Sequence, residues 1–355
     1  MGALVALVTS YRRQRIDELA GERAERAQVH TEKVARATIH DATERRVTEL
    51  YGRAVEQLGH EKATVRLGGL YSLERLAQHN EDHRQVVVEV ICAYLRMPYM
   101  ASIGRGQSAS SNGLDAPEDT HQELQVRKAA QEVLARHSRP EPLGARFQGS
   151  RRDVMENPLY WPKIAIDLSG ACLVDVDFSE CFLSDIVFDD AVFIGQSRFS
   201  GAVFIASARL AHAKFKGYAA FDGVEFLGHL ALHDSAFEDV ADFRGAGFRR
   251  QFALARATFK DEAWFADSCF HADVRFENPL IPVSRSTFRR AVNLDGARVL
   301  NQGETVMLPT GWHAEPDGEG RRIVRSSESS PAELPLNIRP PYPRLDQDPD
   351  MRWQS

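Results

Sequence analysis

Residues 215–248 read FKGYAAFDGVEFLGHLALHDSAFEDVADFRGAGF. Large apolar side chains return at Phe215, Phe221, Phe226, Leu232, Phe237, Phe243 and Phe248, in steps that alternate between six and five. A helix cannot use that beat: at about 100° per residue, positions spaced this way fall into two groups about 140° apart, not one stripe. Glycines 217, 223, 228, 245 and 247 would each cost a helix roughly 1 kcal/mol as well. A plain strand fails too, because alternating odd and even steps break its parity of two. A coil fits: if each short face holds one inward bulky residue, the beat is the number of residues per face.

The residues beside each bulky position support this. Two places earlier stands a small residue, as in Ala191/Phe193, Ala202/Phe204, Ala208/Leu210, Ala213/Phe215, Ala219/Phe221, Ala241/Phe243, Ala246/Phe248, Ala257/Phe259 and Ala263/Phe265. In an extended segment, residues two apart share a side. A narrow close-packed interior has no room for two aromatics per face, so one of the pair is small. Lys, Asp, Glu, Arg and Gly fill the outward and corner positions; Arg244, next to Phe243, reads as outward and replaceable.

With the repeat running from Ile164 to Leu300, this part of the chain resembles a pentapeptide-repeat protein. Strict fives mark Leu168, Leu173, Phe178, Leu183, Phe188 and Phe193; six-residue steps lead to Phe199 and Leu210, and a regular five-six alternation follows. The resemblance implies a right-handed quadrilateral β-helix. The pattern departs between Phe276 and Phe288, where Pro279 and Pro282 in ENPLIPVS point to a loop leaving one corner.

The chain has 355 residues, which allows two or three domains of about 100–200 residues each. Residues 1–58 read as a long charged helix. Opposite charges recur at helical spacing, and Val47, Leu50, Tyr51, Ala54, Val55 and Leu58 then form an apolar face. Gly59 is expected to stop this helix in a left-handed conformation. Residues 44–137 read as a small helical module. One face carries Val65, Leu67, Leu70, Leu73, Leu76 and Ala77; another carries Val86, Val87, Val90, Ile91 and Leu95, with Asn80 as the expected cap of that second helix. A flexible linker is expected near 98–119, then a helix from Thr120 to Arg136. Beyond the coils, 301–325 reads as a hairpin that caps the last coil and 326–355 as a disordered tail. Asn157 to Lys163, with Tyr160 and Trp161, is expected to cover the first coil. The coils are expected to number six or seven.

The helical block LYGRAVEQLGHEKATVRLGGLYSLERLA also looks like the N-terminal half of actinobacterial pentapeptide-repeat proteins, which often carry membrane helices upstream. The apolar run Met1 to Thr9, followed by Arg12, Arg13 and Arg15, has two readings. It is a frayed helix start, or the cytoplasmic end of a membrane helix.

Catalytic chemistry is sparse. His79 and His83 are four apart, but Asn80 breaks the helix between them and the H-E-x-x-H order is absent, so a solvated loop is expected. Cys172 and Cys181 fall on adjacent faces by spacing, and Cys181 takes a small inward place. Cys92 and Cys269 complete a set of four without a C-x-x-C pair, which fits reduced thiols in a cytoplasmic protein. No glycine motif for phosphate is present. No catalytic residue, metal ligand or cofactor is therefore expected, and an enzyme is not the reading.

The net charge of −6 gives no case for direct nucleic-acid binding. Asp167, Asp175, Asp177, Glu180, Asp185, Asp189 and Asp190 make the first coils acidic, and arginines gather later. These outward groups read as solvated. The expected role is a non-enzymatic interaction scaffold with an unidentified protein partner. It would be cytoplasmic, with a tether at the cytoplasmic face of the plasma membrane if the second reading of Met1–Thr9 holds. The alternative, from the resemblance, is a DNA-mimicking topoisomerase (gyrase) inhibitor, against which the uneven acidity counts.

Overall fold

The computed structural model describes residues 2–99, 118–141, 157–250, 252–254, 256–276, 287–288, 292–300, 306–309, 311–318 and 320–325. The expected linker and tail lie largely or wholly outside these residues.

Four helices come first: α1 (Gly2–Leu58), α2 (Ala63–His79), α3 (Arg84–Arg96) and α4 (Glu118–Ser138), with a single 3-10 turn at Glu81–His83 between α2 and α3. The end of α1 packs through Val47, Ala54 and Leu58 against α2. Residues 28–46 are exposed throughout. The helices cross closely at Gly69, where a Cβ would stand 2.6 Å from the Leu58 nitrogen and 2.7 Å from the Ala54 oxygen.

Several helix details differ from the sequence reading. Leu50 is exposed, as is Val86, while Val88 is buried with Val87, Ile91, Cys92 and Leu95. The α3 stripe is thus turned by about a residue, because α3 packs against both α2 and the coil. Helix α1 stops at Leu58, but Gly59 is not left-handed; its N–H still reaches the Val55 carbonyl. Asn80 does not cap the helix after it. Its side chain instead donates to the Leu76 carbonyl and closes α2.

From Ala165 the chain winds as a parallel β-solenoid with four faces. Face 1 has seven strands, from Ala165–Asp167 to Val306–Met307. Face 2 has six, from Cys172–Val174 to Thr287–Phe288, and face 3 has five, from Ser197–Arg198 to Val292–Asn293. Face 4 runs from Phe182–Leu183 to Arg298–Val299 and ends in a two-stranded hairpin. Five complete turns carry a strand on every face, fewer than the six or seven expected, because the opening turn meets face 3 only through the Asp177–Arg198 bridge. Seven strands at about 4.8 Å make face 1 roughly 29 Å long.

The register accounts for the beat. Phe215 pairs with Phe237 and Phe226 with Phe248, a coil of 22 residues. The five-residue corners follow faces 1 and 3, and each turns through one left-handed residue two places after the bulky one. After face 1 these are Gly170, Asp190, His212, Asp234 and Arg256; after face 3 they are Glu180, Gly201, Gly223, Gly245, Asp267 and Gly296. From Phe215 onward the six-residue corners carry none among the described residues. One extra residue lets those corners turn without left-handed backbone. Where the repeat departs, Thr258 pairs with Thr287, a coil of 29 residues. The seven additional residues fall in sequence between the strands Val274–Arg275 of face 1 and Thr287–Phe288 of face 2, and the loop expected at Pro279 and Pro282 lies outside the described residues.

Inside, the phenylalanines stack coil on coil. Face 2 stacks Phe193, Phe215, Phe237 and Phe259 at centroid spacings of 4.3, 4.6 and 4.7 Å. Face 3 stacks Phe199, Phe221, Phe243 and Phe265 at 4.9, 4.8 and 4.9 Å. Face 4 stacks Phe204, Phe226, Phe248 and Phe270 at 4.8, 5.3 and 4.9 Å. Face 1 breaks the small/large rule with Leu230/Leu232 and Phe252/Leu254, all buried. There the second residue is Leu rather than Phe, which frees room for the Phe252 ring against Phe248 and Phe270.

Candidate interaction surface

Four of the seven acidic residues of the first coils are ion-paired. Asp167 meets Arg96 at 3.0 Å, Asp175 meets Lys128 at 2.8 Å, Asp177 meets Arg139 at 3.6 Å and Asp189 meets Arg209 at 3.4 Å. Three of these cations belong to α3, α4 and the residue after α4. Three of the seven acidic residues that read as solvated in the sequence, Asp167, Asp175 and Asp177, therefore form a joint between helices and coil. Such partly exposed pairs are worth about 0–1 kcal/mol each, so they position the helices more than they hold them.

Backbone hydrogen bonds hold the joint more firmly. Gln85 of α3 donates to the Ala165 carbonyl and accepts from its N–H, at 3.1 and 2.9 Å. Gln131 of α4 does the same with Val174, at 3.0 and 3.1 Å. Arg139 donates to the carbonyls of Asp177 and Ser179, and the Cys181 thiol donates to the Ala135 carbonyl. Each glutamine amide presents the donor and acceptor that a preceding strand would supply, so the open edge is satisfied. Asn157 to Lys163 thus does not do the covering; α3 and α4 do. Trp161, 1% exposed, instead wedges the strap against α4 and α2. At the far end, Arg321–Arg325 pairs antiparallel with Arg298–Val299 and with Trp312–Pro316.

The residues singled out for chemistry do not converge. His79 bonds the Arg75 carbonyl at the end of α2, and His83 closes the 3-10 turn. Among the described residues, no group of three or more His, Cys, Asp or Glu could hold a metal. Cys172 lies on face 2 and Cys181 enters face 4, so the two are on opposite faces rather than adjacent ones. Nine residues span two corners of this coil. Burial pushes the Cys92 and Cys181 thiols up to about 12, which makes them inert packing groups. A cavity of roughly 760 Å³ at the start of α2 is lined by Glu61, Lys62, Arg66, Gln122 and Glu123. Thr64 also lines it, and Arg66 and Glu123 pair there at 3.0 Å.

Two outer surfaces stand out. On face 3, Asp242 is 1% exposed although its backbone position points outward. Arg244 donates to it from Nε at 2.8 Å and Nη2 at 2.6 Å, Tyr218 donates its hydroxyl at 2.8 Å, and the Arg244 guanidinium lies 4.9 Å from the Trp264 ring. Arg244 is therefore not a free outward group. On face 4, Ile205 and Leu227 are 43% and 40% exposed, one coil apart, beside half-buried Phe182 and Val203. Behind them Phe204 and Phe226 stack, so the strip rests on a wall with little freedom to deform. The signal was present in the sequence: an apolar residue follows the bulky one in two successive coils.

No family model, curated protein or solved structure matches the chain. Its class rests on its own geometry: a helical region followed by a parallel β-solenoid repeat protein.

Proposed function

We propose that this chain is a non-enzymatic scaffold of the pentapeptide-repeat type that presents its solenoid wall to a protein partner. The carrying observation is the apolar strip Phe182, Val203, Ile205 and Leu227 on face 4, where Ile205 and Leu227 are the exposed large apolar side chains of the solenoid among the described residues. The solenoid interior is filled with side chains, which leaves no cleft there for substrate. The ion pairing of Asp167, Asp175 and Asp177 leaves a DNA-mimicking face with less free charge, which favours the scaffold over topoisomerase inhibition. We further propose a cytoplasmic location, with the N-terminal residues leading to a membrane tether. Its support is the apolar run Met1 to Thr9 directly before Arg12, Arg13 and Arg15. No helix among the described residues is long and apolar enough to cross a membrane by itself.

The test compares the wild-type chain with Ile205→Lys/Leu227→Lys as bait in the native host, alongside a gyrase supercoiling assay with purified protein. A partner retained by wild type and lost by the variant, with no inhibition of supercoiling, supports the reading. Inhibition at micromolar or lower concentration overturns it in favour of the mimic, and equal capture by both baits removes the strip as the site.

A further inference from the structure

The joint between helices and coil turns on His137, the next-to-last residue of α4, which is 1% exposed. Its Nε2 lies 2.8 Å from Oε1 of Glu74 on α2, and its Nδ1 faces the carbonyl oxygen of Leu159 in the strap. Its ring stacks on Trp161 with centroids 3.6 Å apart and planes 10° apart. Its own carbonyl accepts from the Trp161 N–H at 2.8 Å. Trp161 in turn donates from its indole to Gln78, whose side chain donates to the Pro158 carbonyl. One imidazole thus ties together α2, α4 and the strap that leads into the first coil.

Both ring nitrogens face oxygens that can only accept, the Leu159 carbonyl and an ionised Glu74. A neutral imidazole has one N–H and one lone pair, so it satisfies one of these and opposes the other; the imidazolium donates to both. Burial alone would raise Glu74, but its bonds and charge interactions with His137 and Arg136 outweigh that and hold its carboxyl below the usual range. The charged groups around the ring are few among the described residues. Glu74 comes from α2, and Arg136 of α4 shares that carboxylate at 3.0 Å while also meeting Glu132 at 3.8 Å. From α3, Arg84 reaches the Trp161 ring at 5.9 Å.

We propose that His137 is a buried imidazolium that latches the helical module to the solenoid, so that the joint is a pH-sensitive hinge that loosens as pH rises. Loss of the ring proton leaves a lone pair against an acceptor, frees the Leu159 carbonyl and releases the strap with Trp161. The hooks of Gln85 and Gln131 on Ala165 and Val174 then lose their support. Histidine is the side chain whose charge ordinarily changes between about pH 5 and 8.

The full chain tests this by ring ¹⁵N chemical shifts of His137 and by hydrogen exchange at the Trp161, Ala165 and Val174 amides across about pH 6 to 9. After correction for intrinsic exchange, protection at Trp161 is expected to fall by up to about ten-fold per pH unit once the ring titrates, the slope of one released proton. Glu74→Gln keeps an acceptor but removes the charge, so the fall should begin at lower pH; a merely structural contact would not move it. His137→Gln should abolish the pH response. If a variant does not fold, the wild-type series decides alone. A neutral ring at pH 6, or protection that ignores pH over this range, overturns the proposal.

Discussion

Arg244→Ala separates surface decoration from structure. By sequence position the change should be worth less than about 0.5 kcal/mol, as for most outward residues. The structure gives a different figure. Asp242 is 1% exposed and takes two of its side-chain hydrogen bonds from Arg244, at 2.8 and 2.6 Å. Hydrogen bonds to charged groups contribute about 1.5–3 kcal/mol, and the guanidinium over Trp264 adds about 0.5–1 kcal/mol. Arg244 itself is 38% exposed, and water would partly refill the gap, so the expected loss is about 2–3 kcal/mol. Asp242→Ala removes the buried charge and leaves a solvated arginine, so it should cost only about 1 kcal/mol. The double variant should resemble Asp242→Ala, a coupling of about 2–3 kcal/mol between the two sites. Urea denaturation at pH 7 measures all three. The core change Phe243→Ala sets the scale at about 3–5 kcal/mol, since that ring stacks at 4.8 and 4.9 Å on both sides. If Arg244→Ala stays within about 0.5 kcal/mol, or the cycle shows no coupling, the buried-carboxylate argument is wrong.

Other outcomes test other parts. Gln131→Leu strips Val174 of both side-chain partners and should cost about 2–3 kcal/mol, with faster hydrogen exchange at Val174 but not at Phe226; uniform exchange changes would contradict the edge role. Cys92 and Cys181 hold their protons up to about 12 in the folded chain, against about 8.5 unfolded. Their contribution is therefore complete below about pH 8.5 and is lost as pH climbs toward 12, so stability should decline over that window, and less steeply in a Cys92→Ala/Cys181→Ala variant. Deleting residues 301–355 removes the strand that pairs with Arg298–Val299 and should promote self-association by light scattering, whereas deleting 326–355 should leave the chain monodisperse.

The sequence by itself carries the coil, because its signal is local. Which residues point inward is set by the period of two along an extended strand, and the five-six beat counts residues per face. Phe215, Phe221 and Phe226 report this without any knowledge of their neighbours in space. The outward side is different. Whether Asp175 is solvated or paired depends on Lys128, forty-seven positions away, and whether Arg244 is replaceable depends on Tyr218 and Trp264, one coil to either side. The same holds for Cys172 and Cys181: nine residues look like adjacent faces until the corners are counted in three dimensions. The cap follows the same rule. Trp161 reads as a lid from its size and its nearness in sequence, but an unpaired strand edge needs donors and acceptors. Those come from Gln85 and Gln131, ordinary helix-surface residues whose role exists only once α3 and α4 are laid across the first turn. Burial periodicity is written along the chain, whereas hydrogen-bond and charge satisfaction is decided by which distant segments the fold brings together.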